Sequence, residues 1–348
     1  MTDLQEFALD FLYLLIFGYI GMNLQVIIHE TGHLLGGLHT GYKFVSYRIG
    51  SLVWIKNKED ELELRKQRIP GQAGQCLMCP PDLEPEVCPY KLYEYMGGVA
   101  NLVTGLMGLG IAMMCHHPRI DMFWYVFGIM GLLSSMLNLI PRRVHGVAND
   151  GYNIRDKKNN MFARKCFNLV LTLNAALTTA DSFEDLPEKK VNELMAIDFT
   201  QADLSNSSIA NAFNYQIYFR LIRKEYDTVY KESRYIEDNP NIMDIFKNGA
   251  RCECLYYELM HGVGNELIDM RYDKELQRYI RANIYDPSCQ RVMYAYYRLH
   301  DHNDAKAYKC IRKLEKIKDT YVHRVGVMFE IELAIEVDEL IRKRDTLA

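Results

Sequence analysis

The segment His29-Glu30-Thr31-Gly32-His33 places two imidazoles and a carboxylate within little more than one helical turn. Residues four apart share a helix face, so both imidazoles can reach one metal ion, and imidazole suits zinc. Glu30 follows the first imidazole directly, where its carboxylate can take a proton from an attacking water. The motif continues an apolar run, and three ionisable groups at a membrane edge are costly unless they bind a metal or pair with one another. A catalytic zinc takes three protein donors and keeps its fourth position open. After the last apolar run, Asp150 and His145 both carry side chains of a type able to serve as that third donor.

Three apolar runs must position these groups, at about residues 7–38, 95–115 and 122–140. The first would be about 48 Å long as a single helix, more than the roughly 30 Å of a bilayer core. It must therefore protrude, or bend near Gly18 or Gly21. The second carries Gly97, Gly98, Gly105, Gly108 and Gly110, and the third Gly128 and Gly131, small residues that let membrane helices approach closely. The sequence thus predicts three transmembrane helices. Basic residues crowd the loop at 40–92 and the stretch after Pro141, whereas the first six residues have none. The positive-inside rule then puts the N-terminus outside and the C-terminal half in the cytosol, a multi-pass topology for the cell membrane.

Residues 43–56 alternate apolar and polar side chains and predict a short hairpin with Gly50 at its turn. From about residue 160 the pattern changes to amphipathic helices, among them 212–237, 243–260, 291–300 and 304–317. The segment at 299–316 resembles part of a tetratricopeptide-like repeat. The expected fold is mainly all-α: a three-helix transmembrane core with a small β-hairpin at 1–155, then a cytosolic helical-repeat domain at 156–348.

Net charge is −4, which removes the electrostatic case for nucleic-acid binding, and 11% aromatic residues argue against disorder. Nine cysteines in 348 residues are too sparse for a disulfide scaffold and suit reduced thiols. Cys76, Cys79 and Cys88 lack a fourth partner for a second zinc site, so a packed or reactive thiol cluster is the simpler expectation. Gln25 and Asn23 lie inside the first run, facing either a cavity or a neighbouring helix.

A further pattern joins these elements. The H-E-x-x-H of the first run, then Asn138-Leu139-Ile140-Pro141 and Asp150-Gly151 after the third, resembles the site-2 protease family of membrane-embedded zinc metalloproteases. The segment Gly97-Gly98-Val99-Ala100-Asn101 is similar to that family's glycine-and-asparagine element. The resemblance covers about residues 7–155. It implies one zinc per chain held by His29, His33 and Asp150, Glu30 as general base, and Asn138 helping to hold the substrate or its oxyanion. Asn101 could donate to the oxyanion in the same way. Eight residues separate Pro141 from Asp150, more than in the family's compact form.

The expected activity is zinc-dependent hydrolysis of peptide bonds in a membrane-spanning or membrane-anchored peptide substrate, with the helical domain recruiting a protein partner or restricting access. Two competitors remain. One is an inactive membrane scaffold that binds a partner through its helical repeats; the other is a hydrolase acting on a lipid or prenylated peptide. The intact Glu30 argues against the first.

Overall fold

The computed structural model of the chain describes residues 3–67, 72–144 and 147–347. Among these, fourteen α-helices dominate, with a few short antiparallel strands. The chain forms two compact units. The first comprises Met1–Gly50 and Ala73–Met161, the second Ser51–Gln72 and Phe162–Ala348.

Helix α1 (Asp3–His39) runs unbroken through Gly18 and Gly21. After it come strands β1 (Lys43–Ile49), β2 (Leu52–Lys56), β3 (Leu62–Lys66) and β4 (Gly74–Cys79), then α2 (Tyr90–Met114) and α3 (Pro118–Leu139). The helices α1, α2 and α3 are long and apolar enough to cross a membrane. Exposed Phe7, Phe11, Leu15, Tyr19 and Met22 on α1 present apolar surface that water would not favour. The three helices pack on one another through glycine. A side chain at Gly32 would strike the Met96 carbonyl, and one at Gly105 would come within 2.9 Å of the Leu132 nitrogen. Strand β1 pairs with β4 in antiparallel register, Tyr47 opposite Cys76 and Ile49 opposite Gly74. Gly50, at φ 59°, takes the left-handed conformation that the chain needs at the end of β1.

Helix α3 stops at Ile140, because Pro141 cannot continue it. Two-residue strands β5 (Arg143–Val144) and β6 (Val147–Ala148) pair, and α4 (Asp150–Lys158) follows. The long interval before Asp150 is thus a miniature hairpin that returns the chain to the end of α3.

The second unit holds α5 (Met161–Thr179), which starts one residue before it, α6 (Glu188–Met195), α7 (Ser207–Ile222), α8 (Tyr226–Asp238), α9 (Asp244–His261), α10 (Asn265–Arg271), α11 (Lys274–Ala282), α12 (Pro287–Leu299), α13 (Asp304–Ile317) and α14 (Arg324–Leu347). Asn206, Asp273, Asp286 and Asn303 cap α7, α11, α12 and α13 through side-chain oxygens that accept from the first turn. The helix expected at 212–237 is two helices. Lys224, at φ 59°, breaks it and turns the chain. Leu173, Leu194, Phe199, Ile209, Leu255, Val292 and Leu333 belong to one continuous core.

The β2–β3 pair, with Trp54 opposite Leu64, belongs to this second unit. Val53 and Ile55 bury against Val322, and the Lys66 amide donates to the Thr320 carbonyl at 2.9 Å. The expected boundary at 155/156 therefore moves to 161/162, and residues 51–72 leave the first unit. Their apolar partner is distant in sequence, so no local pattern marks the insertion.

Candidate metal centre

His29 and His33 lie one turn apart on α1, and Asp150 opens α4. Their donor atoms converge. His29 Nε2 and His33 Nε2 are 3.0 Å apart, and Asp150 Oδ2 lies 3.2 Å from the first and 3.4 Å from the second. Tetrahedral zinc with donors at about 2.0–2.1 Å holds each donor pair about 3.3 Å apart, so this triangle fits. Among the described residues these three side chains form a group able to hold a metal ion.

Their outer bonds decide where the protons sit. The His33 Nδ1 lies 2.7 Å from the Tyr93 carbonyl, which only accepts, so Nδ1 carries the hydrogen. His29 Nδ1 lies 2.8 Å from Asn101 Oδ1. The Asn101 amide nitrogen donates to Gln25 O and Gln25 Oε1, both at 2.8 Å, which leaves Oδ1 as the acceptor for His29. Gln25 in turn donates to the Phe127 carbonyl at 3.3 Å. A relay from a backbone carbonyl of α3, through Gln25 and Asn101, thus sets the tautomer of His29. Both Nε2 atoms then present lone pairs to a carboxylate oxygen that has no other hydrogen-bond partner although it is buried. One proton satisfies two of these three acceptors; a metal cation satisfies all three.

Glycines make the space. A side chain at Gly97 of α2 would strike His33 Nε2 and come within 2.8 Å of His29 Cε1. Asn101 stands one turn further along the same face. Glu30 is buried, and a side chain at Gly74 would come within 2.6 Å of its Oε1, so the start of β4 lies against the carboxylate. Buried Arg48 donates to Gly74 O at 3.0 Å and to Gly50 O at 2.9 Å, holding that end of β4. Tyr93 serves twice: its carbonyl orients His33, and its hydroxyl donates to Cys76 O of β4 at 2.7 Å.

Asn149 positions Asp150. Its amide nitrogen donates to Leu137 O and Ile140 O, both at 2.7 Å, and its oxygen accepts from Arg142 N and Tyr152 N. One side chain thus ties the end of α3 to the start of α4. Gly151 lets that start approach, because a side chain there would strike the Leu139 carbonyl. Two turns on, Lys157 forms a buried ion pair with Glu94 of α2 at 2.6 Å. Burial pulls the Lys157 ammonium below its usual value, and Glu94 opposes that pull.

The sequence-predicted residues fall into place unequally. His29, His33 and Asp150 meet, with Glu30 beside β4. The Asn138 amide donates to Ser134 O of its own helix at 2.9 Å. Asn101, expected as an oxyanion donor, spends its N–H groups on Gln25 and orients His29 instead. Gln25 bonds between helices, while Asn23 bonds to Tyr19 of its own helix. His145 lies outside the described residues. None of the nine cysteines forms a disulfide, and burial pushes the Cys76 thiol up to about 12, which makes it a packing group. Asn149, Tyr93 and Arg48 escaped the sequence reading.

Compared with protein-family models, with curated proteins and with solved structures, the chain matches none.

Proposed function

We propose that the chain is a membrane-embedded zinc peptidase of the site-2 protease type, acting on membrane-spanning or membrane-anchored peptides. The observation that carries this reading is the convergence of His29 Nε2, His33 Nε2 and Asp150 Oδ2, three acceptors whose outer bonds leave them open to one cation. When bound, zinc supplies Lewis acidity toward a peptide carbonyl and lowers the pKa of a water. Glu30, buried beside β4, accepts the water's proton on its carboxylate and returns it to the leaving amine. The segment from Gly74 lies next to Glu30 and limits how much water reaches it. In this reading α1, α2 and α3 cross the cell membrane, the N-terminus is outside, and the helical unit is cytosolic and repeat-like, free to engage a protein partner.

The test is zinc content, by atomic emission, of the detergent-purified chain beside Asp150→Ala and His145→Ala. About one zinc per chain, lost with Asp150→Ala and kept with His145→Ala, supports the three-donor site. Loss only with His145→Ala moves the third donor, and no zinc in the unaltered chain removes the peptidase reading.

A further inference from the structure

The second unit holds a cleft of about 450 Å³ between α7, α9, α11, α12 and α14. Tyr215 and Tyr218 line it from α7, Tyr279 from α11, Glu253 from α9, Asp286 from the cap of α12, and Glu330 from α14. The three phenol hydroxyls form no hydrogen bond among the described residues, whereas a tyrosine in a closed core normally finds a partner. They are open to whatever enters.

The charge of the cleft is uneven. Arg291, fully buried beneath it, donates to Glu330 at 2.5 Å and to Glu253 at 2.6 Å. The second Glu253 oxygen, Oε2, is buried without a hydrogen-bond partner. Asp286 commits one oxygen to Ser288 and Cys289 and adds a third carboxylate. Burial pushes the Glu330 carboxyl up to about 7, so it is only partly ionised at neutral pH, and Glu253, Asp286 and that ionised share still outweigh the one guanidinium and leave the cleft negative. His323 also lines it, and burial holds that imidazole down to about 4, so it adds no positive charge at neutral pH. At the rim, Ile245 and Tyr285 are apolar and exposed.

We propose that this cleft binds a basic side chain, lysine or arginine, of an extended peptide. The cationic head meets Glu253, Glu330 and Asp286, and the aliphatic stem lies against the rings of Tyr215, Tyr218 and Tyr279. Carboxylates exclude anions, and tyrosine faces attract cations. The phenol oxygens accept from guanidinium or ammonium N–H groups. The volume exceeds what one side chain needs and lies in the range of small-ligand sites, so flanking peptide residues reach Ile245 and Tyr285. The site is independent of the metal centre.

Fluorescence anisotropy of the full-length chain in detergent tests this. The probe is a fluorescein-labelled hexapeptide with two arginines, beside twins carrying citrulline or glutamate in their place, and unlabelled spermidine as competitor. The arginine peptide should bind at least about tenfold more tightly than the citrulline twin, and binding should weaken with salt. Glu253→Gln should weaken it about tenfold. Tyr279→Phe and Tyr215→Phe, which keep the rings, should weaken it severalfold with an unchanged thermal melt, and they carry the test if Glu253→Gln does not fold. Glu30→Gln should bind like the unaltered chain, so failure here and failure of the zinc reading are separate results. Equal binding of the citrulline or glutamate twin overturns the proposal. So does tight spermidine binding without peptide binding, or unaltered affinity in both tyrosine variants.

Discussion

Buried charge is handled in opposite ways in the helical unit and around the two histidines of α1. In the helical unit, buried guanidinium groups meet more than one carboxylate: Arg291 holds Glu253 and Glu330, and Arg271 holds Glu237 and Glu258. Around His29 and His33 the polar groups are aimed the other way. Donors are spent outward, on Asn101 and the Tyr93 carbonyl, and acceptors point inward at one another. The first arrangement gives each guanidinium its counter-charges inside the fold, even where Glu253 and Glu330 also face a cleft. The second sets three acceptors facing one another; in the reading proposed above a metal cation completes it, and burial there serves ligand binding rather than stability.

That contrast breaks most sharply at Glu30. If the chain is the zinc peptidase proposed above, Glu30→Gln should lower peptide cleavage in reconstituted vesicles by about 10²–10⁴-fold while zinc content stays at one per chain, because in that reading the carboxylate moves a proton and holds no metal. Parallel loss of zinc would show that Glu30 belongs to the donor set. In the helical unit the matching variant is Arg291→Met, which strands two buried carboxylates. It should cost about 3–5 kcal/mol in denaturant unfolding, with much of the loss recovered when Glu253→Gln and Glu330→Gln are added. A smaller effect is expected where the metal centre meets its support. Asn101→Ala frees the His29 tautomer and should weaken zinc affinity about 10–100-fold in chelator competition, with helix content unchanged. Unchanged affinity would remove the relay from the argument.

The smallest effect concerns pH. Burial holds His323 at about 4, below its ordinary 6.5, so folding must expel its proton between those values. Its contribution to stability is therefore lost as pH falls from about 6.5 toward 4 and fully present above 6.5. Melting curves across that window should rise less steeply for His323→Phe than for the unaltered chain. Taking the difference cancels Glu330, which burial pushes up to about 7 and which acts in the opposite sense.

The sequence speaks clearly where chemistry is local. Both imidazoles and Glu30 occupy adjacent turns of one helix, and three apolar runs of sufficient length carry their own signal. Asp150 was legible through its pairing with the Asn-Pro segment, although the interval between them became intelligible only as a miniature hairpin closed by Asn149. The role of Asn101 depends on which face of α2 meets α1, and helical period alone does not specify that face. A signal was nevertheless present: Gly97 and Asn101 are four apart, as His29 and His33 are, so a space-making residue and a hydrogen-bonding one share a face. The insertion at 51–72 could not be read, since Val53 and Ile55 alternate as any strand does and Val322 lies in another region of the chain.

That insertion also dictates an order of events in the making of the protein. Arg65 and its partner, the Val322 carbonyl, are 257 residues apart. At about 5–20 residues per second, the ribosome needs roughly 13–50 s to go from one to the other. Throughout that interval α1, α2 and α3 can be synthesised and packed while the β2–β3 pair waits with Val53 and Ile55 uncovered. The helical unit is therefore finished only when the chain's last hundred residues arrive, and a nascent chain halted earlier exposes a short apolar strand pair to whatever chaperone or neighbour reaches it first.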